Sequence, residues 1–362
     1  MNKNWRLLVL LACSFLYAFA SADTTSATNP LCKSASDKTK LNEKSYVLIG
    51  GIKQWITIKG DSCTNPVVLF VHGGPGNPTS LFSEDLYKEW EHEFTIVQWD
   101  QRGAGKTFEA NQKSSEITPE DLTNTQLSLA LIAADGIDVA DYLHTALKKD
   151  KIIITAASWG SAVGIKMISK RPDLFYFYVG VSQLVNYDTN LLTSYRLALN
   201  IAQQNHDQNA LEFLQSASAP PWKNPKNFGK LRKITRAYEA KVTDQILPMK
   251  AAAEYQTEAT QLAYGFGEDF SFMKFVGMDG DGMAQTIALD KTDLDFKIPV
   301  HLIQGKEDLL TSPDVTEKYF SAIKSPGKSY VLVEKSGHDL SARIFNAQLT
   351  ILRAGVKQIA KH

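Results

Sequence analysis

Six short runs of branched and aromatic side chains constrain this chain more than any other feature: "PVVLFV", "FTIVQW", "KIIITAA", "FYFYVGV", "PVHLIQG" and "SYVLVEKSG". Most run apolar without strict alternation, so each reads as a strand covered on both faces. Stretches of helical pattern lie between them, at Thr125–Leu147, Trp159–Lys170, Pro313–Ile323 and Ser341–Ala360. Strand–helix alternation of this kind predicts an α/β fold built on a mostly parallel, doubly wound sheet. The alternating segment "KSYVLIGGIKQWITIKG" precedes the first buried strand and turns at Gly50–Gly51, the pattern of a β-hairpin.

The alternation fails once. From residue 186 to residue 296 the chain is rich in Gln, Asn and Ala and helical in pattern, and it runs into the glycine-studded "AYGFGEDFSFMKFVGMDGDGM". A helical cap inserted between two strands is expected there, and a cap at that level can lid a site. Residues 44–185 and 297–362 would then form the core. A chain of 362 residues has room for one such domain and its insertion.

The N-terminus has a different character. Lys3 and Arg6 precede an apolar run from Leu7, and Ala20-Ser21-Ala22 follows. Residues 1–22 read as a secretory signal peptide cut after Ala22, with a polar tail over residues 23–43. An uncleaved anchor is the alternative, although the run is short for a membrane span. The mature chain is expected to be exported, periplasmic or secreted, with no stable membrane anchor. Removal of the signal takes Cys13 with it and leaves Cys32 and Cys63. In an oxidising compartment these two are expected to form a disulfide tying the tail to the sheet, the alternative being two unrelated thiols.

Charge narrows the partners. The 39 basic and 39 acidic residues balance to a net charge of zero, so no excess exists to meet nucleic-acid phosphates. The seven histidines include no His-x-x-x-His pair, and neither a metal nor a cofactor is expected. "GAGKT" at residues 103–107 lacks the four-residue gap of a phosphate-binding loop. In the surrounding "WDQRGAGKT", Asp100 and Arg102 are instead expected to share a buried polar network at the base of a site.

The chemistry gathers on "KIIITAASWGSAVGIKM". A strand passes to a helix there with Ser158 at the corner and small residues on both sides. Ser158 either caps the helix or is a nucleophile held on a tight turn of the G-x-S-x-G type, with Ala156 in the first glycine's place. Further along, "PVHLIQGKEDLLTSP" sets Asp308 after a strand and "SYVLVEKSGHDL" sets His338 after another. Nucleophile, acid and base thus follow in an order suited to a serine triad, with Asp308 orienting His338 and His338 taking the proton of Ser158. Glu307 is the alternative acid. The loop "VHGGPGNP" can turn backbone N–H groups inward, and the N–H groups of Gly74 and Trp159 are the expected oxyanion donors.

Taken together, HGGPG, DQRGAGK and the Ser-Trp-Gly-Ser elbow resemble the α/β-hydrolase superfamily, and within it the prolyl aminopeptidase (proline iminopeptidase) group. The resemblance runs from about Tyr46 to Gln183 and from about Ile298 to the C-terminus. It implies an α/β-hydrolase core with a helical cap, a Ser158–Asp308–His338 triad, and release of N-terminal residues, proline included, from short peptides. The group reads a free amine with acidic cap residues, for which Glu254, Glu258, Glu268 and Asp269 are candidates here, the alternative being solvated charges. Phe266, Phe270, Phe272 and Phe275 would roof an apolar pocket or form the cap's own core. An esterase or amidase acting on small non-peptide substrates is the alternative function, and a non-catalytic binding protein of the same fold a third.

Overall fold

A computed structural model describes residues 30–34, 36–112 and 118–361; the expected signal peptide lies outside them. An eight-stranded sheet organises the chain, in the order β1-β2-β4-β3-β5-β6-β7-β8. β1 (Leu41–Ile49) and β2 (Ile52–Gly60) form the hairpin, paired from Leu41↔Gly60 to Ile49↔Ile52. β1 therefore starts inside the expected tail, because Leu41 is buried and finds its partner at Gly60.

β2 joins the rest antiparallel to β4, and the remaining strands run parallel. These are β3 (Val67–Val71), β4 (Thr95–Trp99), β5 (Ile152–Ala157), β6 (Phe175–Val181), β7 (Val300–Gly305) and β8 (Lys328–Val333). All six runs are strands, but β8 lies at the sheet edge and is mostly exposed or half-buried, so the expectation of cover on both faces fails for it.

The helices of the core's first half are α1 (Ser83–Leu86), α2 (Gly105–Asn111), α3 (Pro119–Asn124), α4 (Leu129–Leu147) and α5 (Trp159–Lys170). α4 starts four residues later than the expected Thr125 because Ser128 caps it, its side chain accepting the Leu131 N–H. Between β6 and β7 lie α6 (Tyr187–Gln204), α7 (Gln208–Ala217), α8 (Pro225–Glu239), α9 (Glu258–Val276) and α10 (Leu289–Thr292). α11 (Pro313–Ala322) and α12 (Ala342–Ile359) complete the chain. Among the described residues, no helix is long and apolar enough to cross a membrane.

Strand side chains alternate between two cores. Leu69, Ile152, Ile154 and Leu302 pack with α4, α5 and α11, and this core continues into the helices between β6 and β7 through Tyr187, Tyr195 and Phe275. Val68, Phe70, Ile153, Val179 and Ile303 pack on the opposite face with Trp90, Ile344 and Leu352. Both faces of the central strands are buried, which is why those strands read as continuous apolar runs.

Cys32 and Cys63 form a disulfide across 31 residues, with Cα atoms 5.9 Å apart and both side chains fully buried. It fastens the segment before β1 to the turn after β2. A closed loop of this length is worth about 3–4 kcal/mol in chain entropy. The double variant Cys32→Ser/Cys63→Ser should therefore lose stability of that order in denaturant unfolding, and added reductant should reproduce the loss in the native chain.

Candidate active site

The parallel strands deliver their C-terminal ends to one edge of the sheet, where the chain leaves each strand for a loop or a helix. His72–Gly73–Gly74 follows β3, Gln101 follows β4, Ser158 follows β5, Asp308 follows β7 and His338 follows β8. Register places Val71 beside Ala156 and Ala157 beside Val181, so the corner at Ser158 rises between its neighbours.

Ser158 occupies a left-handed backbone conformation, φ 51° and ψ −123°. That conformation costs an L-residue on the order of 1–3 kcal/mol and persists only when the surroundings enforce it. The Ser158 N–H donates to Val181 O (3.0 Å), while the Ser161 N–H donates to Ser158 O (2.9 Å). Gly160 is required by contact: a Cβ there would lie 2.2 Å from Val71 O and 2.4 Å from His72 O. The alanines at 156 and 157 are accommodated. The Ser158 hydroxyl makes no bond to the helix N-terminus, so the capping reading fails; it faces His338 Nε2 at 2.9 Å instead.

His338 Nδ1 faces Asp308 Oδ2 at 3.0 Å. Asp308 is fully buried and well supplied with donors. Its Oδ1 accepts the N–H groups of Leu310 and Thr311, both at 2.8 Å, and Oδ2 accepts Thr311 Oγ1–H (2.7 Å) and Gln304 Nε2–H (2.9 Å). Burial pushes its carboxyl upward, but His338 and these donors outweigh that, and the net direction is below the ordinary value. An anionic Asp308 keeps the His338 proton on Nδ1 and leaves Nε2 free to accept from Ser158. Glu307 does not compete: its carboxylate accepts the Ser336 N–H (2.8 Å).

Gly74 and Trp159 border the same small recess as Ser158. Gly74 has φ 108°, and a Cβ there would come within 2.7 Å of the Gly76 nitrogen. The Trp159 N–H is in the first turn of α5, where the helix offers no partner. Their loops are locked together by residues not singled out from sequence. His72 donates from Nδ1 to Gly73 O (2.8 Å) and accepts the Gln101 N–H on Nε2 (3.1 Å). Gln101 donates to His72 O (2.8 Å) and accepts Trp159 Nε1–H (3.0 Å). Burial holds His72 neutral, its pKa lowered to about 4.

The expected Asp100–Arg102 network is not formed. Arg102 pairs with Asp135 on α4 through two bonds of 2.8 and 2.9 Å and reaches Gly50 O. Asp100 is buried and accepts the Lys106 N–H (2.9 Å) and Tyr264 O–H (3.1 Å), the latter from α9. Burial raises its pKa to about 6. Asp100 thus anchors α9 and Arg102 the hairpin turn, because the two side chains leave the loop in different directions.

The acidic candidates separate in the same way. Glu268 and Asp269 border the open cleft, about 550 Å³, that also contains Ser158 and His338, and Asn77 Nδ2 donates to Glu268 (3.1 Å). Glu254 does not border this cleft; it pairs with Lys44 of β1 at 2.8 Å. Glu258 is exposed in the first turn of α9 and absent from the cleft, about 15 Å along the helix from Glu268. Phe272 borders the cleft and Phe275 the small recess, whereas Phe270 packs on Phe108.

Sequence reasoning missed Glu239, the last residue of α8. Its buried carboxylate accepts the Leu309 N–H (2.9 Å) and the His338 N–H (3.3 Å) and meets Arg232 (3.3 Å), so one side chain holds both the loop of Asp308 and the loop of His338. Burial and the neighbouring Asp308 charge raise its pKa, with Arg232 and His338 opposing. In sequence it reads as one more charge on a polar helix.

Replacement of Glu239 by Leu would orphan two loop N–H groups and leave Arg232 with Asp339 as its remaining carboxylate partner. It should cost roughly 2–4 kcal/mol of stability in chemical unfolding and lower kcat more than it raises KM.

His72 carries a pH prediction. The unfolded histidine gains a proton near pH 6.5, whereas the folded one resists to about pH 4. The unfolded chain therefore binds more protons in that window, and stability falls as pH drops through it, by about 3 kcal/mol in full. Asp100, with its raised pKa, acts in the opposite sense between about pH 4 and pH 6. The effect is isolated by comparing His72→Asn with the native chain in unfolding titrations at pH 7 and pH 4.5. The variant should lose about 2–3 kcal/mol less on acidification.

Known proteins resemble this chain in sequence and in fold. A probable aminopeptidase of Bacillus subtilis (strain 168) is 28% identical over 294 residues, spanning 80% of this chain and 88% of its own. A putative proline iminopeptidase of Mycoplasma genitalium is 30% identical over 138 residues, 38% of this chain and 39% of its own. The proline iminopeptidase-related protein of Thermus thermophilus superposes with a TM-score of 0.52 at 16% identity, over 87% of this chain and 97% of its own; that likeness speaks for the fold. Residues 66–342 match the α/β-hydrolase fold family, a span that holds the elbow, the inserted helices and both partners of Ser158. The chain therefore belongs to the α/β-hydrolase fold family and within it resembles the prolyl aminopeptidases.

Proposed function

We propose that this chain is an exported serine hydrolase that releases small N-terminal residues, proline among them, from short peptides. The observation that carries the reading is the Ser158–His338–Asp308 relay opening onto a cleft bordered by Glu268 and Asp269. The likeness to a probable aminopeptidase and a putative proline iminopeptidase supports the peptidase part. Export is supported by the buried Cys32–Cys63 disulfide, a bond characteristic of oxidising compartments.

In the proposed reaction His338 Nε2 takes the Ser158 proton as Oγ attacks the scissile carbonyl. The N–H groups of Gly74 and Trp159 receive the charge that develops on the carbonyl oxygen. The C–N bond then breaks, and the departing nitrogen takes the proton from His338. Water, deprotonated by the same imidazole, cleaves the acyl-enzyme and frees Ser158. The acyl side chain occupies the small recess beside Ser158, about 30 Å³, lined by Leu184, Leu191, Phe228 and Phe275. That size suits a small residue. Glu268 and Asp269 meet the substrate's free amine.

An esterase or amidase is the second reading, and the apolar lining of that recess favours it because such a pocket needs no amine. The two are separated by rates on a chromogenic proline amide, its N-acetylated form and a short-chain ester. Ser158→Ala should lower every rate by about 10⁴-fold or more. Acetylation of the amine should reduce kcat/KM at least about tenfold, and the double variant Glu268→Gln/Asp269→Asn should shrink that ratio. Equal rates on the free and acetylated amides would discard the aminopeptidase reading.

A further inference from the structure

Besides the open cleft, which touches Gly74, Ser158 and His338 alike, two smaller spaces adjoin Ser158 and differ in the groups that border them. The small recess is bordered by Gly74 and Trp159 but not by His338. A second, larger cavity is bordered by Ser158 and His338 but by neither Gly74 nor Trp159. It measures about 130 Å³ and lies behind the elbow, between the C-terminal ends of β3, β5 and β6 and the first turn of α12.

Proton transfer assigns the two sides. The carbonyl oxygen must stay with the oxyanion donors, whereas the departing atom must meet His338 Nε2 to receive its proton. A cavity that shares Ser158 and His338 but not the donors is therefore placed for the group that leaves. Its walls define the chemistry of that group. Phe70, Ala157, Val181, Leu340 and Ile344 line it, and no Asp, Glu, Lys or Arg borders it among the described residues.

Three of its polar side chains, Thr155, Gln348 and Thr79, are already engaged. Thr155 donates to Val179 O (3.1 Å) and accepts Gln348 Nε2–H (2.7 Å), and Thr79 donates to Gln98 Oε1 (2.7 Å). A charged group entering would lose hydration without a counter-charge. The volume is close to the cavity of about 150 Å³ that accepts a benzene molecule in an engineered protein core.

We propose that this chamber is a leaving-group subsite for an uncharged, apolar group of about benzene size. The proposal rests on Ser158 and His338 acting as read above. In a peptide the occupant is the apolar side chain of the second residue, with the remaining chain passing into the open cleft; in an ester it is an apolar alcohol. Ser158 Oγ bonds to the carbonyl carbon, the bond to the leaving nitrogen or oxygen breaks, and that atom departs with the proton carried by His338. Water then supplies the second product's oxygen and restores the hydroxyl.

The test measures kcat/KM for Pro-Phe against Pro-Glu and for benzyl acetate against methyl acetate. Each apolar-to-reference ratio should exceed about tenfold. Filling the chamber with Ile344→Phe should pull both ratios toward one, and opening it with Leu340→Ala should move the ratio for a larger naphthylmethyl ester upward. Val181→Phe fills the same space from β6 if the helix variant does not fold. Turnover with ratios near one, or ratios that no variant moves, overturns the proposal. If esters are cleaved and peptides are not, the peptidase reading fails while the ester ratio still decides the chamber. If nothing is cleaved, saturation-transfer NMR of benzyl alcohol on Ser158→Ala decides: binding that Ile344→Phe abolishes supports the chamber, and no binding overturns it.

Discussion

The close approach of α5 to the end of β3 is the contact on which the rest of the site depends. Gly160 sits against the carbonyls of Val71 and His72 at a distance that leaves no room for a Cβ, so the helix can start immediately beyond the strand. Ser158 is forced into its left-handed conformation at that corner. The strain is sustained because its N–H is bonded to β6, its carbonyl accepts from Ser161, and α5 is buried along its length. A relaxed corner would return the hydroxyl to the helix N-terminus, where serine ordinarily caps. Packing therefore converts a common capping residue into a side chain presented to His338.

Around that corner the charges are held by geometry rather than by solvent. Asp308 is buried yet anionic because five hydrogen-bond contacts converge on it. His72 is buried and neutral because one ring nitrogen donates to a carbonyl and the other accepts an N–H, a combination open only to the uncharged ring. The second arrangement positions the glycine loop as firmly as the first positions the base. Through Gln101, the loop after β3 and the indole of Trp159 are joined in one hydrogen-bonded unit.

The segment between β6 and β7 is tied into this machinery as well as covering it. Glu239 reaches from α8 to the loops that carry Asp308 and His338, and Tyr264 reaches from α9 to Asp100 below the sheet edge. Arg232 and Arg236 both bond to Asp339, the neighbour of His338. Displacing α8 would remove hydrogen bonds from the very loops that carry Asp308 and His338. Motion of this element and the competence of the relay are therefore physically linked.

Local pattern alone determined the strands, the hairpin, the elbow and the order of Ser158, Asp308 and His338. Burial on both faces writes continuous apolar runs into a sequence, and a tight strand-to-helix turn demands small residues at fixed spacing, so both are legible before folding. The pairing of Cys32 with Cys63 was an expectation resting on the loss of Cys13 with a signal peptide, weighed against two unrelated thiols, and the structure holds that bond. What only the tertiary structure decided is which polar residues meet. Asp100 and Arg102 are two apart in sequence but serve separate elements, Glu254 is drawn away by Lys44, and Glu239 gains its place from loops some seventy and one hundred residues distant. Backbone pattern is a local property, whereas the partner of a charge is set by the packing of elements remote in sequence; no short stretch of residues encodes it.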